Sequence, residues 1–491
     1  MASHPHLHAL LASTRTARVL FQTLLLASQG ILAPSEAQVA DLMRIQSELV
    51  AAHAIDEYHG IVVDVGSSGS RVHVFAWMPQ TCIVGEPPPL IVPRQIASMS
   101  LRPGLSSPEQ EALNRSLAPL LSFAEETLVS RYADWAHFPI YVYATAGLRR
   151  QRPEQRDRIR RGLQDILSRS PFYFEPDFVR ILSGEEEGAY AWLALNAQLG
   201  TLAHPGEDSV GVLDLGGASM QITFLPIEDR EVLQHSYPVI LHGRQTNLYA
   251  ASYLQFGIHE AQRLLQRHII ARTLMAEKVL ELEHPCLPRG NRFSEVLIPG
   301  EAGQAEAGMN DDPPLKAVWH GSGDFEECQL KIAELFDKRA ACYHPPCTFD
   351  GRYQPRLGTR RFVAFSIFSW VVRALALPAN STTVQDIETA ARYVCKMEWA
   401  TLTARWNDLG EDLLRTLCFS ATYVVVLLSY ALGFDKQSYQ INFRLEDCVP
   451  GASSFNVSWA VGAITWEANH RFSRHQPACL PFVGTAGTCA M

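Results

Sequence analysis

The stretches IVVDVGSSGS (residues 61–70) and VGVLDLGGAS (residues 210–219) decide the fold of this 491-residue chain. Each is an apolar run that ends in an aspartate and a turn of glycine and small residues, and each precedes a second apolar run, at residues 72–77 and 220–225. This pattern predicts a strand, a loop and a strand, twice in one chain. Glycines let backbone N–H groups approach an anion, and an aspartate at a strand tip can hold a divalent cation. The sequence therefore predicts a duplicated fold in which two loops grip one polyphosphate from opposite sides.

Two further blocks lie between these loops and make the prediction stronger, because a single Asp-x-Gly turn is common in ordinary hairpins. The block IYVYATAGLR (residues 140–149) is strand-like and ends in small residues and an arginine. The block ILSGEEEGAYAW (residues 181–192) begins as a strand and becomes helix-compatible at an acidic triplet. A carboxylate at that junction is suitably placed to take a proton from a water molecule that attacks a phosphate.

In this order, the four blocks resemble the apyrase-conserved regions of the nucleoside triphosphate diphosphohydrolase (ecto-apyrase) family. The resemblance continues at FVAFSIF (residues 362–368) and SWAVGA (residues 458–463), so that it spans about residues 58–467. Within the family, Gly69 and Ser70 look most like the Golgi and lysosomal branch. The resemblance implies an apyrase-type enzyme that hydrolyses the terminal phosphate of nucleoside tri- and/or diphosphates.

The family resemblance also implies an α/β fold with two lobes of the actin and Hsp70 (RNase H-like) type, with nucleotide in the cleft between the lobes. Residues 1–58 are predicted to be a leader, signal or anchor with a linker. The first lobe covers residues 59–180 and is completed by about residues 440–478. The second lobe covers residues 181–439, and residues 479–491 form a tail.

The mechanism that the resemblance implies is direct attack of water on the terminal phosphate, without a phosphoenzyme. Glu187 occupies the position of the family's Gly-x-x-Glu-Gly carboxylate and is the predicted general base. Ser219 and Gln221 are predicted to orient the water. Asp64 and Asp214 are predicted to hold Ca²⁺ or Mg²⁺ through the water shell of the ion, and hard oxygen ligands with retained waters suit both ions.

A further set of residues is predicted to contact the nucleotide. Trp370 lies where the family places an aromatic that stacks on the base, and plain core packing is the alternative for this residue. Leu413 and Leu417 stand where cell-surface relatives have a polar clamp, which indicates a loose or altered base preference. The predicted nucleotide contacts are Ser67, Ser68, Gly69, Ser70, Thr145, Arg149, Gly216, Gly217, Ala218 and Trp370. Arg71 either adds positive charge or is a structural strand arginine.

The composition agrees with an enzyme of this size and argues against nucleic acid as a partner. With 47% apolar and 19% charged residues the chain has ordinary globular content, and its net charge is −9. An acidic protein that binds a polyphosphate has to neutralise its ligand locally. We therefore expect a metal ion and loop dipoles at the site, with a nucleoside di- or triphosphate as the substrate.

The ten cysteines indicate an oxidising compartment, because disulfides persist there. Reduced thiols in a cytosolic enzyme are the alternative, since connectivity cannot be deduced from sequence alone. The family resemblance implies three disulfides, Cys286–Cys328, Cys342–Cys347 and Cys395–Cys418, and gives no template for Cys82, Cys448, Cys479 and Cys489. Three acceptor sequons, at Asn114, Asn380 and Asn456, are consistent with glycosylation on a luminal route.

Two apolar segments bear on the membrane. Residues 19–27 follow Arg15 and Arg18 and have the length of a signal peptide, too short for a confident membrane span. This segment is predicted to be either a cleaved leader or an anchor, and membrane anchoring, where it occurs, is predicted through the N-terminus only. The predicted location is the lumen of the secretory pathway (Golgi or endolysosomal) or outside the cell. Residues 418–434 carry no charge and are predicted to form a buried helix.

Two alternative functions of the predicted cleft remain. An exopolyphosphatase or guanosine-pentaphosphatase relative shares both loops and an acidic base, but has no reason for luminal cysteines. A non-hydrolytic actin-like or Hsp70-like protein uses the same cleft as a nucleotide switch with slow turnover. The acidic residue Glu187 in its Gly-Glu-Glu-Glu-Gly setting argues against the switch.

Overall fold

The computed structural model describes a mixed α/β protein that contains sixteen strands in its described residues. The described residues are 57–66, 69–78, 80–82, 90–105, 107–202, 206, 208–226, 232–241, 244–272, 279–297, 315–406, 409–443, 458–470 and 479–481. The strands are β1 (Tyr58–Val65), β2 (Ser70–Trp77), β3 (Gln80–Cys82), β4 (Arg94–Leu101), β5 (Ile140–Ala144), β6 (Val179–Ile181), β7 (Gly211–Leu215), β8 (Ser219–Phe224), β9 (Ser236–Leu241), β10 (Arg244–Leu254), β11 (Val279–His284), β12 (Arg292–Leu297), β13 (Leu315–Gly321), β14 (Phe362–Ser366), β15 (Ile441–Asn442) and β16 (Cys479–Pro481).

Eleven α-helices connect or cover these strands in the same part of the chain. Short 3₁₀ segments at Val129–His137 and Pro176–Phe178 supplement them. The helices are α1 (Gln110–Thr127), α2 (Ala146–Arg149), α3 (Pro153–Leu167), α4 (Gly184–Gln198), α5 (Ile258–Ala271), α6 (Phe325–Ala333), α7 (Ile367–Ala374), α8 (Val384–Cys395), α9 (Trp399–Arg405), α10 (Glu411–Val425) and α11 (Trp459–His470).

The first sheet has five strands in the order β4-β2-β1-β5-β6. Strands β1 and β5 are parallel, with Asp64 beside Tyr143, and β2 and β4 are antiparallel. Strand β1 is buried along most of its length, as its continuous apolar sequence predicts for a central parallel strand. Helices α1 and α3 cover this sheet, and Leu113, Leu163 and Val142 belong to its apolar core.

The second sheet has six strands in the order β15-β14-β7-β8-β10-β9. Strands β7 and β8 form an antiparallel pair, and β14 lies parallel to β7 on the other side. A separate and larger apolar core covers this sheet with helices α5, α7, α8 and α10. The predicted strand, loop and strand are thus present twice, as β1 and β2 in the first sheet and as β7 and β8 in the second.

Helices α4 and α11 pack closely against each other, and glycines allow this approach. A Cβ atom at Gly462 of α11 would lie 1.8 Å from the carbonyl oxygen of Tyr190, and one at Gly188 would lie 2.3 Å from Thr223 Oγ1. Neither position can hold a side chain without movement of its neighbours. The glycines of the GEEEG and WAVGA blocks therefore set how closely α4 lies on strand β8 and how closely α11 lies on α4.

The cysteine predictions that fall on described residues are confirmed. Disulfides join Cys286 to Cys328, Cys342 to Cys347 and Cys395 to Cys418. The bond between residues 286 and 328 ties α6 to the end of the small sheet β11-β13-β12, and the bond between residues 395 and 418 ties α8 to α10. Cys448, Cys489 and the Asn456 sequon lie outside the described residues.

The apolar run at residues 418–434 forms a buried helix, as predicted. It continues α10 through a π-helical turn at Val426–Ala431. The helix over Glu411–Ala431 is long and apolar enough to span a membrane, but 72% of its apolar window is buried inside the protein. Its side chains therefore belong to the second core. Residues 1–56 of the predicted leader and linker (residues 1–58) lie outside the described residues. The predicted domain boundaries stay predictions.

Candidate active site

The two loops have the same backbone closure. In the first, the N–H of Gly66 donates to the carbonyl of Gly69 at 3.0 Å, and in the second, the N–H of Gly216 donates to the carbonyl of Ser219 at 3.0 Å. Asp64 lies one residue before the end of β1, as Asp214 does in β7. The duplication that the sequence predicts therefore extends to individual hydrogen bonds. The predicted phosphate contacts Ser67 and Ser68 lie outside the described residues.

Helix α5 supports the second loop from behind. The first backbone N–H groups of this helix, those of Ile258 and His259, donate to the carbonyls of Gly216 and Gly217 at 2.9 and 3.0 Å. Helix N-termini have N–H groups with no partner inside the helix, and here the loop supplies the acceptors. The loop is thereby held in one conformation next to Ala218, which is buried.

The first loop is bounded by strand β5 and its following residue. The N–H of Thr145 donates to the carbonyl of Val65 at 3.2 Å, and the Thr145 side chain is buried. Ser70 is also buried, and its hydroxyl has no hydrogen-bond partner among the described residues. The Ser70 hydroxyl therefore has hydrogen-bonding capacity that no described residue uses.

Glu187, the predicted base, lies in the first turn of α4 and is 8% exposed. Two guanidinium nitrogens of Arg149 donate to Glu187 Oε2, each at 3.0 Å. The same guanidinium donates to the carbonyl of Leu182 at 2.9 Å and to Ser219 Oγ at 3.2 Å. Arg149 thus fixes one carboxylate oxygen and links it to the second loop.

Gln221 completes this network from strand β8. Its Nε2 donates to Ser219 Oγ at 2.7 Å, to Ser252 Oγ at 3.1 Å and to Glu187 Oε2 at 3.4 Å. The structure therefore brings together the three predicted catalytic residues and the predicted contact Arg149.

The other two acids of the triplet have different environments. Glu186 forms a capping box with Ser183 at the start of α4 and contacts Arg180. Glu185 lies 4.0 Å from His235 and has a side chain that is 38% exposed. Glu186 is therefore a structural acid that completes the helix N-terminus, as capping boxes do. Only Glu187 of the three points into the network around Gln221.

Three carboxylates share this site, and burial raises the pKa of each. The pKa of Asp64 rises to about 7 through burial and then through repulsion by Glu187 and Asp214, against attraction by Arg71. The pKa of Glu187 rises to about 7 through burial, against attraction by Arg149. Burial also raises the pKa of Asp214, against a hydrogen bond from Ser366. Such a set of close, largely desolvated acids is stable in its ionised form only with added positive charge.

A hydrated divalent cation fits these acids. Asp64 Oδ1 is buried and accepts no hydrogen bond within the described residues, which is unusual for a native carboxylate. No group of three or more His, Cys, Asp or Glu side chains in that part of the chain is arranged to ligate an ion directly. Asp64 and Asp214 therefore suit an ion that retains most of its water, as Mg²⁺ commonly does.

Two residues at the site were missed by the sequence analysis. Ser366 donates to Asp214 Oδ1 at 2.6 Å and has a left-handed φ of 56°, which is strained for a residue other than glycine. The sequence feature that marks Ser366 is its position at the end of the strand in the FVAFSIF block. This strand, β14, runs parallel to β7. Ser252 lies directly across from Gln221 in the antiparallel pair of β10 and β8. No local motif marks it.

The positions of Trp370 and Arg71 are compatible with both roles that the sequence allows for each of them. Trp370 lies on α7 and packs, partly exposed, against the second core. Arg71 is exposed, and its Nε donates to Ser100 Oγ at 2.6 Å. Leu413 is exposed at 46%, whereas Leu417 is buried. The stacking role of Trp370 stays a prediction.

Residues 50–475 match the GDA1/CD39 (nucleoside phosphatase) family. The ectonucleoside triphosphate diphosphohydrolase 2 of Homo sapiens is 32% identical over 437 residues, which cover 82% of this chain and 81% of the relative. The Golgi apyrase of Saccharomyces cerevisiae is 26% identical over 457 residues, which cover 82% of this chain and 69% of the relative. A solved nucleoside triphosphate hydrolase of Neospora caninum has a TM-score of 0.61 at 17% identity and covers 89% of this chain and 97% of its own. This likeness confirms the predicted fold class.

Proposed function

Because this chain belongs to the GDA1/CD39 (nucleoside phosphatase) family, we propose that its cleft hydrolyses the terminal phosphate of nucleoside tri- and/or diphosphates with a divalent cation. The observation that carries this proposal is the contact network of Arg149, Glu187, Ser219 and Gln221 next to two half-buried aspartates. It supplies a base, groups that orient water and a place for a cation within one site.

Glu187 takes a proton from the attacking water. The water oxygen forms a bond to the terminal phosphorus while the bond from that phosphorus to the bridging oxygen breaks, so that inorganic phosphate and the shortened nucleotide leave. Arg149 holds Glu187 Oε2, and Ser219 and Gln221 hold the water in line with the leaving oxygen. No covalent phosphoenzyme is needed, because the water attacks phosphorus directly.

The remaining residues bind and neutralise the substrate. A bound Ca²⁺ or Mg²⁺ supplies positive charge that offsets the charge developing on the phosphate oxygens. Asp64 and Asp214 hold this ion through its water, and Ser366 keeps Asp214 in place. Ser67, Ser68, Thr145 and the backbone of the two loops contact phosphate oxygens.

Trp370 contacts the nucleobase of the substrate. The apolar residues Leu413 and Leu417 leave recognition of the nucleobase loose. Three disulfides support a location in the secretory pathway or outside the cell. The Golgi apyrase among the relatives supports the same location. Asn114 and Asn380 are both exposed and are the proposed glycosylation sites among the described residues.

The test is phosphate release from UDP, GDP, ADP, UTP and ATP with Ca²⁺ or Mg²⁺, in wild type and in Glu187→Gln. Glutamine keeps the shape of the side chain but cannot take the proton, so kcat should fall by about 10²–10⁴ while nucleotide still binds. Glu185→Gln is the matched control from the same acidic triplet and should stay within about threefold of wild type.

Chelation separates the proposal from its alternatives. Chelator should abolish phosphate release, and added Ca²⁺ or Mg²⁺ should restore it. Hydrolysis that persists in chelator would indicate a metal-free phosphatase. Preference for inorganic polyphosphate would favour the exopolyphosphatase reading, and turnover slower than about one per minute would favour the nucleotide switch. Near-full turnover in folded Glu187→Gln would remove Glu187 from the role of base.

A further inference from the structure

An ion pair beside the site joins an element of the first apolar core to an element of the second. Arg150 directly follows α2, whose residue Leu148 packs in the first core. Glu260 lies in the first turn of α5, whose residues Ile258 and Ala261 pack in the second core. The guanidinium of Arg150 contacts Glu260 Oε1. The pair therefore connects elements that belong to separate apolar cores.

The carboxylate of Glu260 is buried, and a second arginine also contacts it. The Glu260 side chain is 7% exposed, and the Arg150 side chain is 32% exposed. Arg263, three residues further along α5, contacts the same Oε1 and is 54% exposed. A buried carboxylate requires a cation close by, and Arg263 supplies one from within its own helix. The contact with Arg150 therefore adds a link across the molecule beyond the charge neutralisation of Glu260.

Both ends of the pair lie next to groups that form the site. Arg150 is the neighbour in sequence of Arg149, which contacts Glu187 and Ser219. The backbone N–H of Glu260 donates to the carbonyl of Gly217 at 3.3 Å, beside the stronger bond from His259. A change in the separation of Arg150 and Glu260 thus shifts Arg149 relative to the second loop.

We propose that Arg150 and Glu260 are positioning residues for hydrolysis, whose ion pair sets the distance between Arg149 and the second phosphate loop. The proposal rests on the roles proposed above for Arg149, Glu187 and Ser219. Neither Arg150 nor Glu260 contacts substrate in this scheme. A displacement of about 1 Å at the reacting groups can slow the chemical step by about 10²-fold, whereas nucleotide binding depends on more distributed contacts. Loss of the pair therefore lowers kcat more than it raises KM.

The experiment compares Arg150→Met, Glu260→Gln and the double variant in the full chain. Methionine keeps an apolar stem of similar length, and glutamine keeps the shape of glutamate. With the nucleotide that wild type hydrolyses fastest, we expect each single variant to lose about tenfold in kcat, with KM within about threefold. The double variant should be no worse than the slower single variant, because both changes break one interaction. Arg263→Met is the matched control and should keep kcat within about twofold of wild type.

Two controls distinguish loss of the ion pair from misfolding. Thermal unfolding shows whether each variant is folded, and charge exchange tests whether a restored ion pair recovers activity. Arg150→Glu with Glu260→Arg restores an ion pair and should recover kcat above that of either single variant. If Glu260→Gln does not fold, Arg150→Met and the exchanged pair decide the result. Wild-type kcat in a folded Arg150→Met protein overturns the inference and leaves the proposed function intact, and additive losses in the double variant do the same. A folded wild-type protein that hydrolyses no nucleotide overturns the proposed function and this inference with it.

Discussion

Asp64→Asn should stabilise the cation-free protein at pH 8, although it removes a residue of the site. Asp64 Oδ1 is buried and accepts no hydrogen bond in the described part of the chain. Burial, together with the charges of Glu187 and Asp214, raises the pKa of Asp64 from 3.8 to about 7. A buried carboxylate without a partner destabilises the folded state when it is ionised, and asparagine cannot ionise.

The direction of the pH dependence follows from proton binding. Between pH 4 and pH 7 the folded protein holds a proton at Asp64 that the unfolded chain has lost. The free energy of unfolding therefore falls as pH rises through this window. The shift from 3.8 to about 7 is about three pKa units, and each unit corresponds to about 1.4 kcal/mol. The destabilisation is therefore roughly 4 kcal/mol when it is complete, above pH 7, and is small near pH 4.

Urea unfolding in chelator from pH 4 to pH 8 measures this effect. The free energies of wild type and Asp64→Asn should agree within about 1 kcal/mol near pH 4, and the variant should be more stable by roughly 4 kcal/mol at pH 8. Asp208→Asn, a change at an exposed aspartate, should follow wild type throughout. Added Ca²⁺ or Mg²⁺ at pH 8 should stabilise wild type more than Asp64→Asn. Equal or lower stability of the variant at pH 8 in chelator would refute the reasoning.

Three further predictions concern the surroundings of the site. Ser366→Ala removes the hydrogen bond that orients an aspartate of the cation site and should lower kcat by about 10–100-fold, measured by phosphate release at saturating cation; an unchanged kcat would exclude this role. Gly462→Ala should lower the free energy of unfolding in urea by about 1–3 kcal/mol or more, because its Cβ has no space, whereas Gly410→Ala, with open space around it, should change it by less than about 1 kcal/mol. Replacement of both Cys395 and Cys418 by alanine should cost about 3 kcal/mol in the same urea assay, and a loss below about 1 kcal/mol would contradict a structural role for that disulfide.

The sequence predicts the site residues that lie at the ends of apolar runs. Asp64 and Asp214 lie one residue before the ends of buried strands, and Glu187 lies in the first turn of a helix, so that a few neighbouring residues define each position. The shared closure of the two loops follows from their similar local sequences. These parts of the site depend on short-range geometry, which a motif records directly.

The sequence does not predict contacts that depend on alignment between distant elements. Ser252 lies in the long strand β10 with no turn or charge to mark it, and only its register with Gln221 brings it to the site. Ser366 reaches Asp214 because β14 and β7 run parallel and end together. The contact of Arg150 with Glu260 joins two cores, and neither residue stands out in the local sequence. Strand register and lobe packing decide all three.

The packing of α11 on α4 has a consequence for the synthesis of this enzyme. The helix that carries Glu187 ends at Gln198, but the helix that covers it begins only at Trp459. At about 5–20 residues per second, the ribosome adds the intervening chain in roughly 15–50 s. During that time the face of α4 that α11 later covers is exposed. A chain that terminates before residue 459 contains every predicted catalytic residue and still lacks the helix that packs on α4, so premature stop codons late in the coding region should yield inactive protein that is recognised as unfolded.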